Sequence, residues 1–358
     1  MVIVGSTGSF GAGRRDVFLI KLDEEGKTEW SKTYGGPQNE YAFAVTPTVD
    51  GGYIVGGETS SFGVEGSDIL IFKTDARGNV KWSSAIGGEN VEYAFDVLEH
   101  YDGYLVGFET NTWGMGSKDV GLFKMNKTGE YQWLYTYGGI KEDNINGLLT
   151  LEDGSIAMTG ITASFGYGNL DGFFLKCNKS GDLEFARTYG DVGAEVFQGM
   201  IKTTDGYVFG GFSNSFNDQL LAEDLLIVKV NEKGRTKWAK TYGGVFMDVG
   251  LSMIQSSKQE IIVVGETRSF SGRSDSDIYL VKNQDNASLS TCEQSRVQLI
   301  DQNADFASNN HEPKVQSVHL KVVKAKFKNI KQLLPDLNIC VEGETIIDER
   351  EEQLKSSK

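Results

Sequence analysis

The chain has 358 residues, is 39% hydrophobic and 11% aromatic, and carries a formal net charge of −15. That acidity argues against a nucleic-acid partner, because phosphate contacts need a positive surface. No run approaches the roughly 18 apolar residues of a membrane-spanning helix. Gly5, Ser6 and Thr7 break up the start, where a secretory leader would be apolar. Glycine is abundant at 44 and proline scarce at 4, as in a chain of many tight hairpins.

One phrase, Asp-x-x-x-x-Lys, recurs six times along the chain. It begins at Asp16, Asp68, Asp119, Asp171, Asp224 and Asp277 and ends at Lys21, Lys73, Lys124, Lys176, Lys229 and Lys282, in steps of 51 to 53 residues. A period of about fifty residues denotes a repeat architecture. The chain enters at Met1–Gly5, which aligns with the second strand of the unit, so the first repeat lacks its first strand. Residues 41 to 88 make the type unit. Tyr41 to Val49 alternates as a strand, and Asp50-Gly51-Gly52 is a turn. Tyr53-Ile54-Val55 is a second strand, closing on Gly56-Gly57, and a polar loop through Phe62 follows. Asp68 to Lys73 is a third strand, apolar on both faces and therefore suited to lie between two neighbouring sheets. A hairpin at Asp75 to Gly78 leads to a fourth strand, Asn79 to Ile86.

That fourth strand carries an aromatic at Trp30, Trp82, Trp133, Phe185 and Trp238. Four residues on come Tyr34, Ile86, Tyr137, Tyr189 and Tyr242. The even offset puts both on one strand face, which should pack on the next unit. The last unit has strands near Leu251–Gln255, Glu260–Gly265 and Asp277–Lys282 and then loses register. The repeats therefore predict 22 strands, where six complete units need 24.

The sequence accordingly predicts an all-β fold, a β-propeller of about six four-stranded blades over residues 1–284, followed by a non-repeat C-terminal extension over 285–358. In the extension Ser317 to Phe327 alternates as one strand, with Val318, Leu320 and Val322 on one face, and residues near Cys292 to Ile300 could form another. Part of this material should pair with a terminal blade. Lys321, Lys324, Lys326, Lys328 and Lys331 are read as a solvated strand face, with an electrostatic partner site as the alternative. Asp348 to Lys358 is charged and expected to fray. Cys292 and Cys340 could form a disulfide in an oxidising compartment. Asn126, Asn178 and Asn286 spell glycosylation sequons, but the first two occupy a hairpin position where Asn is a natural turn residue.

Three series of residues invite functional readings. The repeated Asp should cap the loop before its strand by accepting backbone N–H bonds. A second acidic series, Glu40, Glu92, Asp143, Glu195 and Asp248, precedes the first strand of successive units. If these acids met at a channel mouth they could hold a hard cation such as Ca²⁺; otherwise each caps its own loop. A third series, Phe10, Phe62, Trp113, Phe165, Phe216 and Phe270, could form a recognition face or plug gaps between units. No nucleophile–base pair, Cys/His metal spacing or phosphate-binding loop stands out, and no cofactor is implied.

Written out, the unit is Asp-x-x-x-x-Lys, Gly-x-x-x-Trp, Thr-Tyr-Gly-Gly, an acid four residues on, and Asp-Gly-x-x-x-x-Gly. The best copy runs from Asp16 through Lys21, Gly26, Trp30, Thr33-Tyr34-Gly35-Gly36, Glu40 and Asp50-Gly51 to Gly56-Gly57. It resembles the bacterial seven-bladed β-propeller repeat, or SBBP repeat, over about residues 1 to 284. The resemblance implies a secreted or surface-attached protein with no catalytic residues to carry over; a cytoplasmic location is the alternative. Six legible copies, against seven in the family, depart from that pattern. The expected function is therefore a non-enzymatic binding or scaffold module presenting loops to a protein or glycan partner. The alternative is a propeller enzyme, a hydrolase or quinone-dependent oxidoreductase, using the channel mouth.

Overall fold

The computed structural model describes residues 1–216, 222–270, 276–284, 294–297, 299–304, 306–311, 314–317, 320–324, 338–341 and 344–345. Among these there is no helix; the strands form six separate sheets. Sheet 1 holds Val2–Thr7, Asp16–Leu22 and Thr28–Gly35. Sheets 2 to 5 each hold four consecutive antiparallel strands, from Glu40, Glu92, Asp143 and Glu195 onward. Sheet 6 holds Asp248–Gln255, Glu260–Thr267 and Asp277–Gln284. The 22 expected strands are all present, in the expected order.

Five hydrophobic clusters bind the six sheets, one at each junction between sheets consecutive in the chain. Val17, Leu19 and Tyr34 of sheet 1 meet Val55, Leu70 and Phe72 of sheet 2. Comparable clusters join sheets 2 and 3, 3 and 4, 4 and 5, and 5 and 6. The doubly apolar third strands are the reason: in sheet 2, Ile69 and Ile71 serve one junction while Leu70 and Phe72 serve the other. The fourth-strand aromatics add polar ties. The Trp30 and Trp82 indoles donate to Ala76 O and Lys127 O of the next sheet's hairpin, both at 3.2 Å. The hydroxyls of Tyr34 and Tyr137 donate to Gly78 O at 2.8 Å and Gly181 O at 2.5 Å.

Part of the C-terminal extension pairs with the terminal units, as expected, and the pairing goes further. It adds a strand to the outer edge of every sheet. Gln294–Val297, Ile300–Asn303, Ala307–Asn310, Lys314–Ser317 and Lys321–Lys324 pair antiparallel with the last repeat strands of sheets 5, 4, 3, 2 and 1 in turn. Asn338–Val341 then pairs parallel with Asp277–Gln284 of sheet 6. The extension thus runs through the sheets in reverse order, and the single strand expected over Ser317 to Phe327 is divided between two sheets. The long edge each sheet would otherwise offer is replaced by an edge strand of only two to four residues, a standard protection against edge-to-edge aggregation. Residues between these short strands plug the junctions: Leu299 enters the cluster of sheets 4 and 5, Phe306 that of sheets 3 and 4, and Leu320 that of sheets 1 and 2. Phe306 lies 4.6 Å from the Phe165 ring and 5.4 Å from Phe173, centroid to centroid. Cys292, Asn286, Lys326, Lys328, Lys331 and Asp348 to Lys358 lie outside the described residues.

Candidate functional site

In the first four units the repeated Asp caps its loop as expected; the loops before Asp224 and Asp277 include residues outside those described. Asp16 accepts from Ala12 N at 2.9 Å and Gly13 N at 3.2 Å; Asp119 and Asp171 repeat the arrangement with Met115 and Gly116, and with Tyr167 and Gly168. Its Lys partner acts at the other end of the strand. Lys73 pairs with Asp50 at 2.9 Å, Lys124 with Asp102 at 2.6 Å and Lys229 with Asp205 at 2.8 Å. The Asp-Gly turn of these three units is thereby clamped to its own third strand. Lys176 departs from this and pairs with Glu184 at 3.0 Å.

The five acids Glu40, Glu92, Asp143, Glu195 and Asp248 do not converge. Each is fully buried at the start of the inner strand of a different sheet. Each accepts from the backbone N–H four residues earlier: Gly36, Gly88, Gly139, Asp191 and Gly244, at 2.7–2.9 Å. Each also accepts a hydroxyl from the end of the second strand, that of Thr59, Thr110, Thr162, Ser213 and Thr267. Among the described residues no group of three or more His, Cys, Asp or Glu side chains could hold a metal ion. The Ca²⁺ reading therefore gives way to local capping, because hydrogen bonding within each sheet holds these carboxylates apart.

They do approach the capping Asp of the preceding unit. A Cβ at Gly87 would lie 1.8 Å from Asp68 Oδ1 and 2.9 Å from Glu92 Oε2; one at Gly138 would lie 1.9 Å from Asp119 Oδ1 and 2.9 Å from Asp143 Oδ2. Only glycine fits between such a pair. Burial, reinforced by the neighbouring carboxylates Glu92 and Asp143, pushes Asp68 and Asp119 up to about 6; Asp119 is also stabilised as the anion by its loop amides, which does not cancel the burial. Asp96 is held at about 6 by burial. The folded chain then binds more protons than the unfolded chain between the ordinary Asp value and about 6, so stability falls as pH rises through that window. The clamp acids Asp50, Asp102 and Asp205 are shifted the other way by their hydrogen bonds to Thr48 and Lys73, to Lys124, and to Lys229 and Lys237. Their contribution is lost below the ordinary Asp value. Thermal melts should therefore peak near pH 4, about the ordinary Asp value, with a lower midpoint at pH 7.5 and a steep loss below about pH 3. A midpoint that rose from pH 5 to pH 7.5 would remove the buried pairs from this account.

The loop aromatics act mainly as plugs. Phe62, Trp113, Phe165, Phe216 and Phe270 each pack against a junction cluster, while Phe10 is exposed. Asn126 and Asn178 each accept the backbone N–H two residues on, as turn residues do.

Open clefts lie at the sheet junctions on the side of the Asp-Gly turns. One, about 970 Å³, is at the junction of sheets 2 and 3 and is lined by Asp50, Lys73, Trp82, Glu99, Tyr104 and Lys127 among others. Trp82 and Tyr104 lie 5.7 Å apart, and Lys127 Nζ stands 5.0 Å above the Tyr104 ring while pairing with Glu99. A second cleft of about 490 Å³ lies between sheets 3 and 4, beside Trp133 and Lys179. Tyr101 borders both. Its side chain is 67% exposed and its backbone has φ of 33°, one of two non-glycine residues described with positive φ. A bulky residue there costs roughly 1–2 kcal/mol. Its hydroxyl donates to Glu152 O at 2.6 Å, and His100 packs edge-on at 4.7 Å. Repetition hid this residue from the sequence reading: Tyr101 has no counterpart in the other units, and only its place before Asp102-Gly103 could have singled it out.

A second surface is set by β-bulges. Every inner strand of sheets 2 to 6 shifts register at one residue: Phe43, Phe95, Asn146, Gln198 and Leu251. Bulges re-aim side chains and recur beside functional sites. The repeat position is fixed but its chemistry is not, passing from aromatic to amide to aliphatic. Phe43 and Phe95 stack at 6.2 Å, with Tyr93 beside both.

No protein-family model matches the chain, and no curated protein matches it in sequence.

Proposed function

We infer that the six sheets are blades of a β-propeller and that the protein is a non-enzymatic binding module for a glycan or protein partner. The observation that carries the reading is Tyr101, an exposed aromatic kept in a strained turn between two clefts. Strain retained at an exposed position is a mark of function, since packing does not require it. The neighbouring cleft supplies an aromatic wall, Trp82 and Tyr104, with ion pairs at its rim. Stacking on an apolar ring face together with charged hydrogen-bond partners suits a pyranose ligand best. The buried carboxylates support the same reading, because their oxygens are engaged by loop amides and hydroxyls of the fold. The repeat pattern's resemblance to surface-attached propellers agrees with an extracellular partner.

A glycan array followed by titration calorimetry tests this. Tyr101→Asn removes the ring and relieves the turn, since Asn tolerates positive φ. It should leave stability within about 1 kcal/mol of the parent and weaken the ligand at least tenfold. Unchanged affinity in that variant would sink the site; affinity lost only with the fold would make Tyr101 structural.

A further inference from the structure

The clefts beside the Asp-Gly turns do not end at the two that flank Tyr101. A third, of about 700 Å³, is lined by residues of sheets 4, 5 and 6 and their turns, among them Lys202, Tyr207, Gln255 and Gln259. Asp153 borders the second and third clefts, as Tyr101 borders the first and second. The turns that carry these two residues are tied together. The Tyr101 hydroxyl donates to Glu152 O at 2.6 Å, and His100 Nε2 lies 3.3 Å from Gly154 O. The three clefts thus form one series along the same side of sheets 2 to 6.

Strain recurs at the far end of the series. Gln259 is the other described non-glycine residue with positive φ, at 65°. Its amide donates to Ser256 O in the turn before the second strand. The matching turn amides in sheets 2 and 4 belong to Gly51 and Gly154, with φ of 80° and 83°. Glycine takes this conformation at no steric cost, and the Gln259 side chain is exposed, so packing does not require it. Two polar atoms also lack partners among the described residues. They are Nδ1 of His100, a residue 4% exposed that lines the second cleft, and Nε2 of Gln255 in the third. With Nε2 donating to the Gly154 carbonyl, His100 Nδ1 is an acceptor, while Gln255 Nε2 is a donor. A hydroxyl serves both.

The lining charges are balanced. Seven lysines and six carboxylates line the three clefts together, in a chain of net charge −15. In sheet 3, Glu99 at the end of the inner strand pairs with Lys127 of the hairpin, whose Nζ stands 5.0 Å above the Tyr104 ring. In sheet 5 the signs are exchanged: Lys202 ends the inner strand, pairs with Glu232 of the hairpin and stands 5.0 Å above the Tyr207 ring. The aromatic face and the ion pair are kept while the sign at each place is not, which suits an uncharged ligand rich in hydroxyls.

We propose that the three clefts are subsites of a single groove for one uncharged, linear polysaccharide chain, which crosses Tyr101 and Asp153 in turn. This rests on the reading of Tyr101 as a glycan contact and adds the ligand's charge and length. Sugar units joined in one chain fill neighbouring subsites at high effective concentration, so binding strengthens as the chain lengthens.

The probes are size-graded fragments of dextran, xylan and β-1,4-glucan, from two to ten units, titrated into the full chain by calorimetry. At least one series should bind about thirtyfold more tightly as ten units than as two, with one long chain per protein. Gln259→Gly relieves its turn; it should leave the disaccharide unaffected and weaken the ten-unit fragment about fivefold. A polygalacturonate fragment of equal length should bind at least about tenfold more weakly, repelled by the acidic chain. A disaccharide bound as tightly as the long fragment, an equal effect of Gln259→Gly on both, or tighter binding of polygalacturonate overturns the groove while leaving Tyr101 as a local contact. Binding of a ten-proline peptide in place of every glycan overturns it in favour of a polypeptide. If no probe binds, or if Tyr101→Asn alters affinity at no length, the Tyr101 site itself falls and this proposal with it.

Discussion

Deleting residues 286–358 should lower the melting temperature by about 5 °C or more and promote oligomers. The deletion uncovers the outer edges of all six sheets at once and removes Leu299 and Phe306 from junction clusters in which each is more than nine-tenths buried. Burial of two such side chains is worth roughly 1.5–3 kcal/mol each, and a domain of this size loses about 1–2 °C per kcal/mol. The exposed edges add aggregation on top of the loss of stability. Phe306→Ala isolates the packing part: it should cost about 3–5 kcal/mol while the edges stay covered. A truncated chain that melts like the parent and elutes as a monomer would make the extension a passive appendage. Loss of stability equal in the truncation and in Phe306→Ala would mean that edge coverage contributes nothing.

Asp143→Ala should cost at least about 3 kcal/mol in chemical denaturation, among the largest effects of any single repeat position. The carboxylate is fully buried and receives Gly139 N at 2.8 Å, Ser164 Oγ at 2.7 Å and the Thr162 hydroxyl. Removing it orphans three donors, that of Thr162 buried and those of Gly139 and Ser164 partly buried, and a buried donor left unsatisfied costs about 1–3 kcal/mol. Asp143→Asn is the informative companion. It retains an acceptor and the side-chain volume but removes the charge that, behind the effect of burial, helps raise Asp119 to about 6. Carboxyl titration by NMR should then find Asp119 lower than in the parent. An unmoved Asp119 would show that burial alone sets its affinity for protons and that the paired carboxylates of successive units do not communicate.

Much of the fold was legible in the repeat because each repeated residue solves the same local problem six times. Asp16 and its counterparts cap a loop; the doubly apolar run after each of them has to be covered on both faces; Trp30 and Tyr34 reach the next hairpin. Strand count and order followed from turn residues at even spacing. The candidate site was less legible for the same reason. Repetition marks what builds the unit, and Glu40, Glu92, Asp143, Glu195 and Asp248 recur because each holds a loop and a second-strand hydroxyl in its own sheet. A cation would have required their carboxylates to leave those bonds and meet.

What the sequence by itself determined is therefore the unit: four strands, their turns, their two-sided burial and their six-fold recurrence. These depend on contacts within about fifty residues, and local patterning encodes them. Only the tertiary structure decided where the extension goes, because its four-residue strands carry too little periodicity to name a partner and are ordered by edges up to several units away. It also decided that Tyr101 stands strained between two clefts, a departure from the repeated arrangement that becomes visible only when the sheets are set side by side.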